Sequence, residues 1–266
     1  MKDWINLSGR TFIVTGASSG IGAAIAHELL NVGANVVNAD LKESGVDADN
    51  YLFVECDVTQ PADVKNVVQQ AKAKFGKIDG LVNNAGINMP RLLVDPADEN
   101  SQYQLSVDAF QKMFAVNVQS VFLMSQAVGR ELLNNGKGVI VNMSSEAGLE
   151  GSQGQSAYSA TKGAINGFTR SWAKELGKAN IRVVGVAPGI MEATGLRTES
   201  YENALAYTRG ITVEQLRKGY ASTSTTPMGR SGKLSEVADL VSYLLSDKAS
   251  YITGVTINVA GGKSRG

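Results

Sequence analysis

The chain has 266 residues, 43% hydrophobic and 19% charged, with 29 glycines, one cysteine and one histidine. That length suits one large α/β domain and buries a real core without disulfide or metal staples. Lysine plus arginine equals aspartate plus glutamate at 25 each, so no bulk basic field draws nucleic acid or an anionic membrane.

The lone Cys56 excludes an intrachain disulfide and any cysteine-based zinc or iron–sulfur centre, and no metal site is expected. A single histidine, His27, makes histidine-based catalysis hard to build. The opening MKDWINLSGR lacks the continuous apolar segment of a signal peptide, and no run approaches the ~18 apolar residues of a membrane span. A cytoplasmic location is the expectation.

Short apolar runs alternate with longer amphipathic stretches, the pattern of βαβ units. A strand is predicted at 11–15, then a glycine-rich turn and a helix over about 21–32, ended by Gly33. Strands follow at 34–39 and 51–55. Asp57 and Thr59 lead into a helix near 62–75, stopped by Gly76. A short strand at 80–82 runs into NNAG (83–86). The polar stretch 87–106, with two prolines and no periodicity, reads as a loop. One continuous helix is predicted near 107–134, a strand at 139–143, a helix over 155–177, and a strand at 181–187 ending at Pro188 and Gly189. Residues 190–227 read as a mobile, partly helical substrate-loop insertion whose best helix is 213–220. A helix over 235–245, with Ser235 as N-cap and Glu236 in its first turn, precedes a last strand at 254–259. About seven strands separated by helices predict a doubly wound, Rossmann-type parallel sheet with helices on both faces, in a single domain spanning 1–266.

Between the first strand and helix lies TGASSGIG (15–22). Glycines at 16, 20 and 22 permit a tight turn and close backbone approach, while the helix N-terminus offers free N–H groups to a pyrophosphate. The spacing is GxxxGxG rather than GxGxxG, and a purely structural turn would look similar. Asp40, 18 residues beyond Gly22, stands where a carboxylate accepts hydrogen bonds from an adenosine ribose and repels a 2′-phosphate. Neither Ser19 nor Leu41 offers a compensating positive charge, which favours NAD over NADP. GASSG also fits the G-x-S-x-G elbow of serine hydrolases. His27, however, lies in the very helix that follows the turn, out of reach of Ser18, and reads as a surface helix residue.

YSATK (158–162) places Tyr158 and Lys162 at i and i+4 on one helix face. A tyrosine titrates near ~10, and a neighbouring ammonium favours the phenolate, as an acid/base tyrosine requires. Ser145 follows the strand IVNMS. Ligands in a parallel sheet bind beyond the carboxyl ends of the strands, and Ser145, residues 83–86, Pro188, Gly189 and the glycine-rich turn all belong to that edge.

Together TGASSGIG, NNAG, Asn117 in FAVN, Ser145 thirteen residues before Tyr158, YSATK and Pro188–Gly189 resemble the short-chain dehydrogenase/reductase family, over about residues 9–262 and with the motifs in order. The family's own turn pattern is GxxxGxG. The resemblance implies a catalytic tetrad of Asn117, Ser145, Tyr158 and Lys162. Tyr158 exchanges the substrate proton, Ser145 bonds the developing oxyanion, Lys162 lowers the tyrosine pKa and holds the nicotinamide ribose, and Asn117 holds a relay water. It further implies cofactor contacts from Gly16, Ser18, Ser19, Gly20, Ile21, Gly22, Asp40, Asp57, Val58, Asn84, Ala85, Gly86, Pro188 and Gly189, and a homotetramer built on the helices near 107–134 and 155–177 and the last strand.

The segments flanking these motifs are polar: the long loop with Arg91, Glu146 and Gln153 after Ser145, Glu192 and Arg197 in the insertion, and Lys263 and Arg265 in the tail AGGKSRG. These suit a polyhydroxylated, anionic ligand better than a steroid or acyl chain. They resemble family members of Gram-positive bacteria that oxidise D-sorbitol 6-phosphate to D-fructose 6-phosphate with NAD, which implies a sugar-alcohol phosphate substrate with Arg91, Arg197, Lys263 or Arg265 on the phosphate. Any one of these charges could equally be a solvated surface group. Other readings are a 3-oxoacyl-carrier-protein reductase, an enzyme of free polyols, or a nucleotide-sensing regulator that keeps the fold without the chemistry.

Overall fold

In the computed structural model, which describes residues 4–222 and 225–264, the strands β1 (Thr11–Thr15), β2 (Asn35–Asp40), β3 (Tyr51–Glu55), β4 (Gly80–Asn83), β5 (Gly138–Met143), β6 (Ile181–Pro188) and β7 (Thr256–Val259) form one sheet. Its order is β3-β2-β1-β4-β5-β6-β7, and every pairing is parallel. The chain direction across the sheet reverses between β1 and β4, so a crevice opens there beyond the strand ends.

Helices cover both faces, which is why β1 and most of β5 and β6 are apolar on both sides rather than alternating. On one face α1 (Gly20–Asn31) packs Ile25 and Leu29 with Val237 and Val241 of a C-terminal helix against Phe12, Val14 and Val184. On the other, Val64 and Val67 of α2 (Pro61–Phe75) meet Met124, Val128 and Leu132 over Ile13, Leu81 and Ile140.

The stretch predicted as one helix near 107–134 is three pieces: α3 (Val107–Phe114), a π-helical turn (Ala115–Gln119) and α4 (Ser120–Asn135). The π turn holds Asn117, and a single wide turn leaves the apolar periodicity on either side intact, so the pattern reads as continuous. A short helix, α5 (Ala147–Glu150), precedes α6 (Ser156–Leu176).

The insertion is more regular than its composition suggests. It forms α7 (Glu199–Arg209) and α8 (Val213–Ser222) around a small core of Leu205, Ala206 and Leu216. The signal for α7 was present: Thr198 Oγ1 accepts from Tyr201 N at 3.2 Å, Glu199 and Glu202 occupy the first turn, and Gly210 closes the end at φ 65°. The last helix, α9 (Leu234–Leu245), is capped at Lys233 rather than Ser235, because Glu236 Oε2 reaches back to Lys233 N at 2.7 Å.

Candidate active site

Two cavities meet at Tyr158. The larger, of about 700 Å³, runs over the β1/β4 crevice from Asp40, Asp57 and Val58 past the glycine-rich turn to Lys162. Gly16 and Gly20 take the left-handed backbone at φ 66° and 57°. A Cβ on Gly22 would lie 2.1 Å from Gly16 O, so only glycine lets α1 start this close to β1. Ser19 is the N-cap of α1, but its side chain caps nothing, so the first amides of the helix keep their donors for a ligand. Asn84 clamps the turn by donating Nδ2 to Thr15 O and Gly16 O at 3.0 and 3.1 Å.

Asp40 lines one end of this cavity. Its carboxylate accepts from Ser18 N at 2.9 Å and from Leu41 N at 2.7 Å, and an ionised carboxylate retains further lone pairs for ribose hydroxyls. Asp57 accepts from Thr59 N at 2.9 Å, which with the Thr59 hydroxyl holds its carboxyl below the usual range. Ser19, Gly20, Ile21, Ala85, Gly86 and Pro188 also line the larger cavity. Ser18 does not: its hydroxyl bonds the Asn38 amide at 2.8 Å and the Lys42 carbonyl. These residues, together with the uncapped helix, fit a dinucleotide. Cys56 faces the same cavity, but burial, with Asp63 and Asp57 nearby, pushes its thiol up to about 12, far from a reactive thiolate. His27 is exposed on α1, as expected.

Asn117, Ser145, Tyr158 and Lys162 converge beyond the carboxyl ends of β4 and β5. Asn117 is buried; its carboxamide accepts from Ile87 N and donates to Ile87 O, both at 2.8 Å, and donates to Thr161 Oγ1 at 3.1 Å. Thr161 in turn donates to Tyr158 O at 2.7 Å. Lys162 is 6% exposed, and its Nζ donates to Met143 O at 2.7 Å, 5.7 Å from the Tyr158 ring centroid. The electrostatics differ from the sequence expectation. Burial raises the Tyr158 phenol above its ordinary value, with a hydrogen bond to Ser145 opposing, and burial lowers Lys162 to about 8. Burial disfavours the charged form of each group, and the ammonium is committed to the Met143 carbonyl rather than to the phenol.

Sequence reasoning missed three supports of this group. Thr161 is one, hidden inside the YSATK motif itself. Gly148 is another: a Cβ there would lie 2.6 Å from Lys162 Cβ, so α5 packs directly on α6. The third is Ser144, buried beside Ser145, whose hydroxyl donates to Lys162 O at 3.3 Å.

The smaller cavity, of about 270 Å³, adjoins Ser145 and Tyr158 and gathers Glu146, Glu192, Arg197, Arg209 and Lys263. Gly189 lines it too. Lys263 donates to Glu146 Oε1 at 2.5 Å, so its charge is already paired. Arg197 lies 4.0 Å over the Tyr220 ring and donates to Glu202 Oε1 at 3.2 Å. Glu192 accepts from Leu234 N at 2.8 Å and caps α9. Two residues singled out in the sequence lie elsewhere. Gln153 donates to Thr208 O at 3.1 Å and is outside the cavity lining, where the buried Gln155 stands instead, bonded to Tyr201 Oη at 3.1 Å. Arg91 borders a separate hollow with Lys112 and donates to Pro90 O at 2.7 Å. Arg265 lies outside the described residues.

Among the seven buried side-chain polar atoms found without a hydrogen-bond partner in the described residues, three belong to residues lining this one small cavity: Asn88 Oδ1, Glu146 Oε2 and Arg197 Nε. Buried polar atoms are nearly always paired. All three atoms are covered by protein, so the polar character of the cavity comes from the charged residues that line it rather than from these atoms.

A parallel sheet with a glycine-lined crevice at its switch point, opening onto a Ser–Tyr–Lys cluster, defines a dinucleotide-dependent oxidoreductase fold. The family model for short chain dehydrogenase matches residues 10–205, and the chain belongs to that family. It is 57% identical over 268 residues to the sorbitol-6-phosphate 2-dehydrogenase of Klebsiella pneumoniae, covering 100% of both chains. It is 36% identical to the 3-oxoacyl-[acyl-carrier-protein] reductase FabG of Escherichia coli, covering 97% of this chain and 98% of that one. Among solved structures, the 3-ketoacyl-(acyl-carrier-protein) reductase of Brucella melitensis complexed with NADH superposes with a TM-score of 0.82 at 32% identity, over 98% of this chain and 100% of that one. No helix among the described residues is long and apolar enough to cross a membrane.

Proposed function

We propose that the chain is an NAD-dependent oxidoreductase that converts D-sorbitol 6-phosphate to D-fructose 6-phosphate, acting as one dinucleotide-binding and catalytic unit with residues 190–227 over the substrate. The observation that carries this reading is the small cavity beside Ser145 and Tyr158, lined by Glu146, Glu192, Arg197, Arg209 and Lys263. The extent of the likeness to the Klebsiella enzyme supports the choice of substrate. An acyl-thioester pocket would instead be lined by apolar side chains.

A nicotinamide dinucleotide held along the glycine-rich turn, Asp40 and Lys162 would supply the hydride acceptor for the carbinol carbon. The chain's own residues manage the proton and the charge. Tyr158 exchanges the hydroxyl proton: its phenol, raised by burial, is drawn back towards ionisation by the Ser145 hydrogen bond, and Ser145 holds the substrate oxygen as it becomes a carbonyl. Lys162, buried behind the phenol, supplies positive charge on the cofactor side. Asn117 braces Ile87 against Thr161 and so fixes the helix turn that carries Tyr158. Arg197 is the proposed phosphate ligand: it lines the cavity, and its ion pair with Glu202 engages only one of its guanidinium nitrogens.

Asp40 supports NAD over NADP, because a 2′-phosphate would meet its carboxylate with neither Ser19 nor Leu41 supplying a cation. Exposed Val107, Phe110, Phe122 and Leu133 along α3 and α4 support burial in a homotetramer; the likeness to a sugar-phosphate dehydrogenase supports a cytoplasmic location.

The test follows reduced-cofactor absorbance with NAD or NADP and sorbitol 6-phosphate, mannitol 6-phosphate, free sorbitol, free xylitol and a 3-hydroxyacyl thioester. Rapid NAD reduction with sorbitol 6-phosphate alone is the expected result, and Arg197→Ala raises its KM about tenfold or more. Turnover of only free polyols or the thioester overturns the substrate assignment. Turnover of nothing at all favours the nucleotide-sensing reading.

A further inference from the structure

Glu202 stands in the first turn of α7, where an exposed carboxylate would suffice to favour the helix, yet it is buried. Its two oxygens serve two arginines from different segments. Oε1 accepts from Nη2 of Arg197, just before α7, at 3.2 Å. Oε2 accepts from both Nε and Nη2 of Arg217, on α8, at 2.9 and 2.7 Å. These bonds, those of Arg217 foremost, hold the carboxyl below its ordinary range, so it is ionised at neutral pH. Arg197 is anchored a second time by Tyr220 of α8, whose ring centroid lies 4.0 Å from the guanidinium carbon.

The three charges sum to one positive, and the geometry decides which cation keeps it. Arg217 commits two nitrogens to one carboxylate oxygen, a strong, charge-assisted arrangement. Arg197 commits one, through the longest of the three bonds. Of its other nitrogens, Nε is covered by protein, whereas Nη1 is neither covered nor bonded to any group among the described residues. Arg197 lines the small cavity, and Glu202 and Arg217 do not. The Arg217 side chain is 60% exposed, so it neutralises the carboxylate from outside the cavity. Without it, Arg197 would be the sole partner of a buried carboxylate, and the two would form a neutral pair.

Resting on the polyol-phosphate reading above, we propose that Arg217 is a positioning residue for phosphate recognition: by neutralising Glu202 it leaves the charge of Arg197, anchored on Glu202 Oε1 and Tyr220, for the substrate phosphate. The insertion thus sets phosphate affinity through a residue that never touches substrate, and leaves the proton transfer at Tyr158 alone.

The experiment measures kcat and KM for sorbitol 6-phosphate, kcat/KM for free sorbitol at high concentration, KM for NAD and the inhibition constant of inorganic phosphate. The proteins are wild type, Arg217→Met, Arg217→Lys, and Arg217→Met combined with Glu202→Gln. Arg217→Met is expected to raise KM for sorbitol 6-phosphate and the phosphate inhibition constant by about fivefold, the scale of a partly exposed ion pair. Its kcat, its KM for NAD and its turnover of free sorbitol stay within about twofold of wild type. Arg217→Lys, which keeps the charge, restores most of the affinity. Removing the carboxylate as well brings both constants back towards wild type, a rescue that a merely structural role does not give, because a second lesion would then add to the first. An unchanged KM in Arg217→Met, a loss shared equally by phosphorylated and free polyol, or a double variant worse than the single one overturns the proposal; a wild-type preference for sorbitol 6-phosphate then leaves the substrate reading intact. Wild-type protein without that preference overturns both. If Arg217→Met does not fold, Arg217→Gln takes its place in the same comparison.

Discussion

Gly148 ties the geometry of the catalytic cluster to a single missing methyl group. A Cβ at this position would lie 2.6 Å from Lys162 Cβ and 2.7 Å from Lys162 C, contacts with main-chain and stem atoms that no rotamer change relieves. To reach an ordinary separation of 3.4 Å, α5 and α6 must part by about 0.8 Å. The two elements carry opposite halves of the site: α5 follows directly on Ser145, and α6 carries Tyr158 and Lys162. Overpacking of this kind costs about 1–3 kcal/mol, a fall of several degrees in Tm for a chain of this size. A displacement approaching 1 Å between reacting groups costs about 100-fold in rate. Gly148→Ala is therefore expected to lower kcat by about 10- to 100-fold, measured by initial rates at saturating cofactor and substrate, with Tm read by calorimetry. Gly219→Ala, on exposed α8 where an added Cβ meets nothing within 4 Å, is the control and leaves Tm unchanged or slightly raised. A kcat within threefold of wild type, with unchanged Tm, would refute the claim that α5 sets the Ser145–Tyr158 geometry.

Cofactor choice follows from Asp40. A carboxylate about 4 Å from a 2′-phosphate is repelled by about 4 kcal/mol in a surface-like dielectric. Asp40→Ala with Leu41→Arg is expected to raise kcat/KM for NADP by at least about 100-fold, and to weaken NAD because Ser18 N and Leu41 N lose their shared acceptor; a double variant that still ignores NADP sinks the explanation. The buried Lys162 gives a pH signature. Its amine is lowered to about 8 in the folded chain, so between pH 8 and 10 the unfolded state binds the extra proton and this group's contribution to stability rises with pH. The Cys56 thiol, raised to about 12, acts in the opposite sense above pH 9. The test is thus the difference between wild type and Lys162→Met in urea midpoints at pH 7.5 and 9.5. Wild type should gain on the variant at the higher pH, and parallel midpoints would show that Lys162 is not desolvated.

The strands were legible because a parallel sheet covered on both faces writes continuous apolar runs into the sequence, and residues 11–15 and 51–55 fall where those runs do. Helix ends and interruptions were less so. Nothing in FAVN announces that Asn117 sits on a π turn, since widening one turn preserves the apolar face on either side of it. The α7 helix was passed over although Thr198, Glu199 and Gly210 mark its ends, because the polar composition of residues 190–227 drew attention from its caps. The tetrad was legible as spacing, but its electrostatics were not: a tyrosine and lysine at i and i+4 suggest a lowered phenol, and only three-dimensional burial shows desolvation prevailing over the pair.

The substrate side was least legible, for a general physical reason. Periodicity reports what a side chain buries against its own chain, whereas a ligand site consists of atoms that the chain leaves unsatisfied. Arg91, Gln153 and Lys263 carry the right chemistry, yet each has its polar group committed to protein at Pro90, Thr208 and Glu146. Asn88, Glu146 and Arg197 come from three separate loops and share no spacing. What unites them is that all three line the same cavity of about 270 Å³. A shared cavity is a property of the folded surroundings, so residues that meet in one become visible only once the separate loops have been placed.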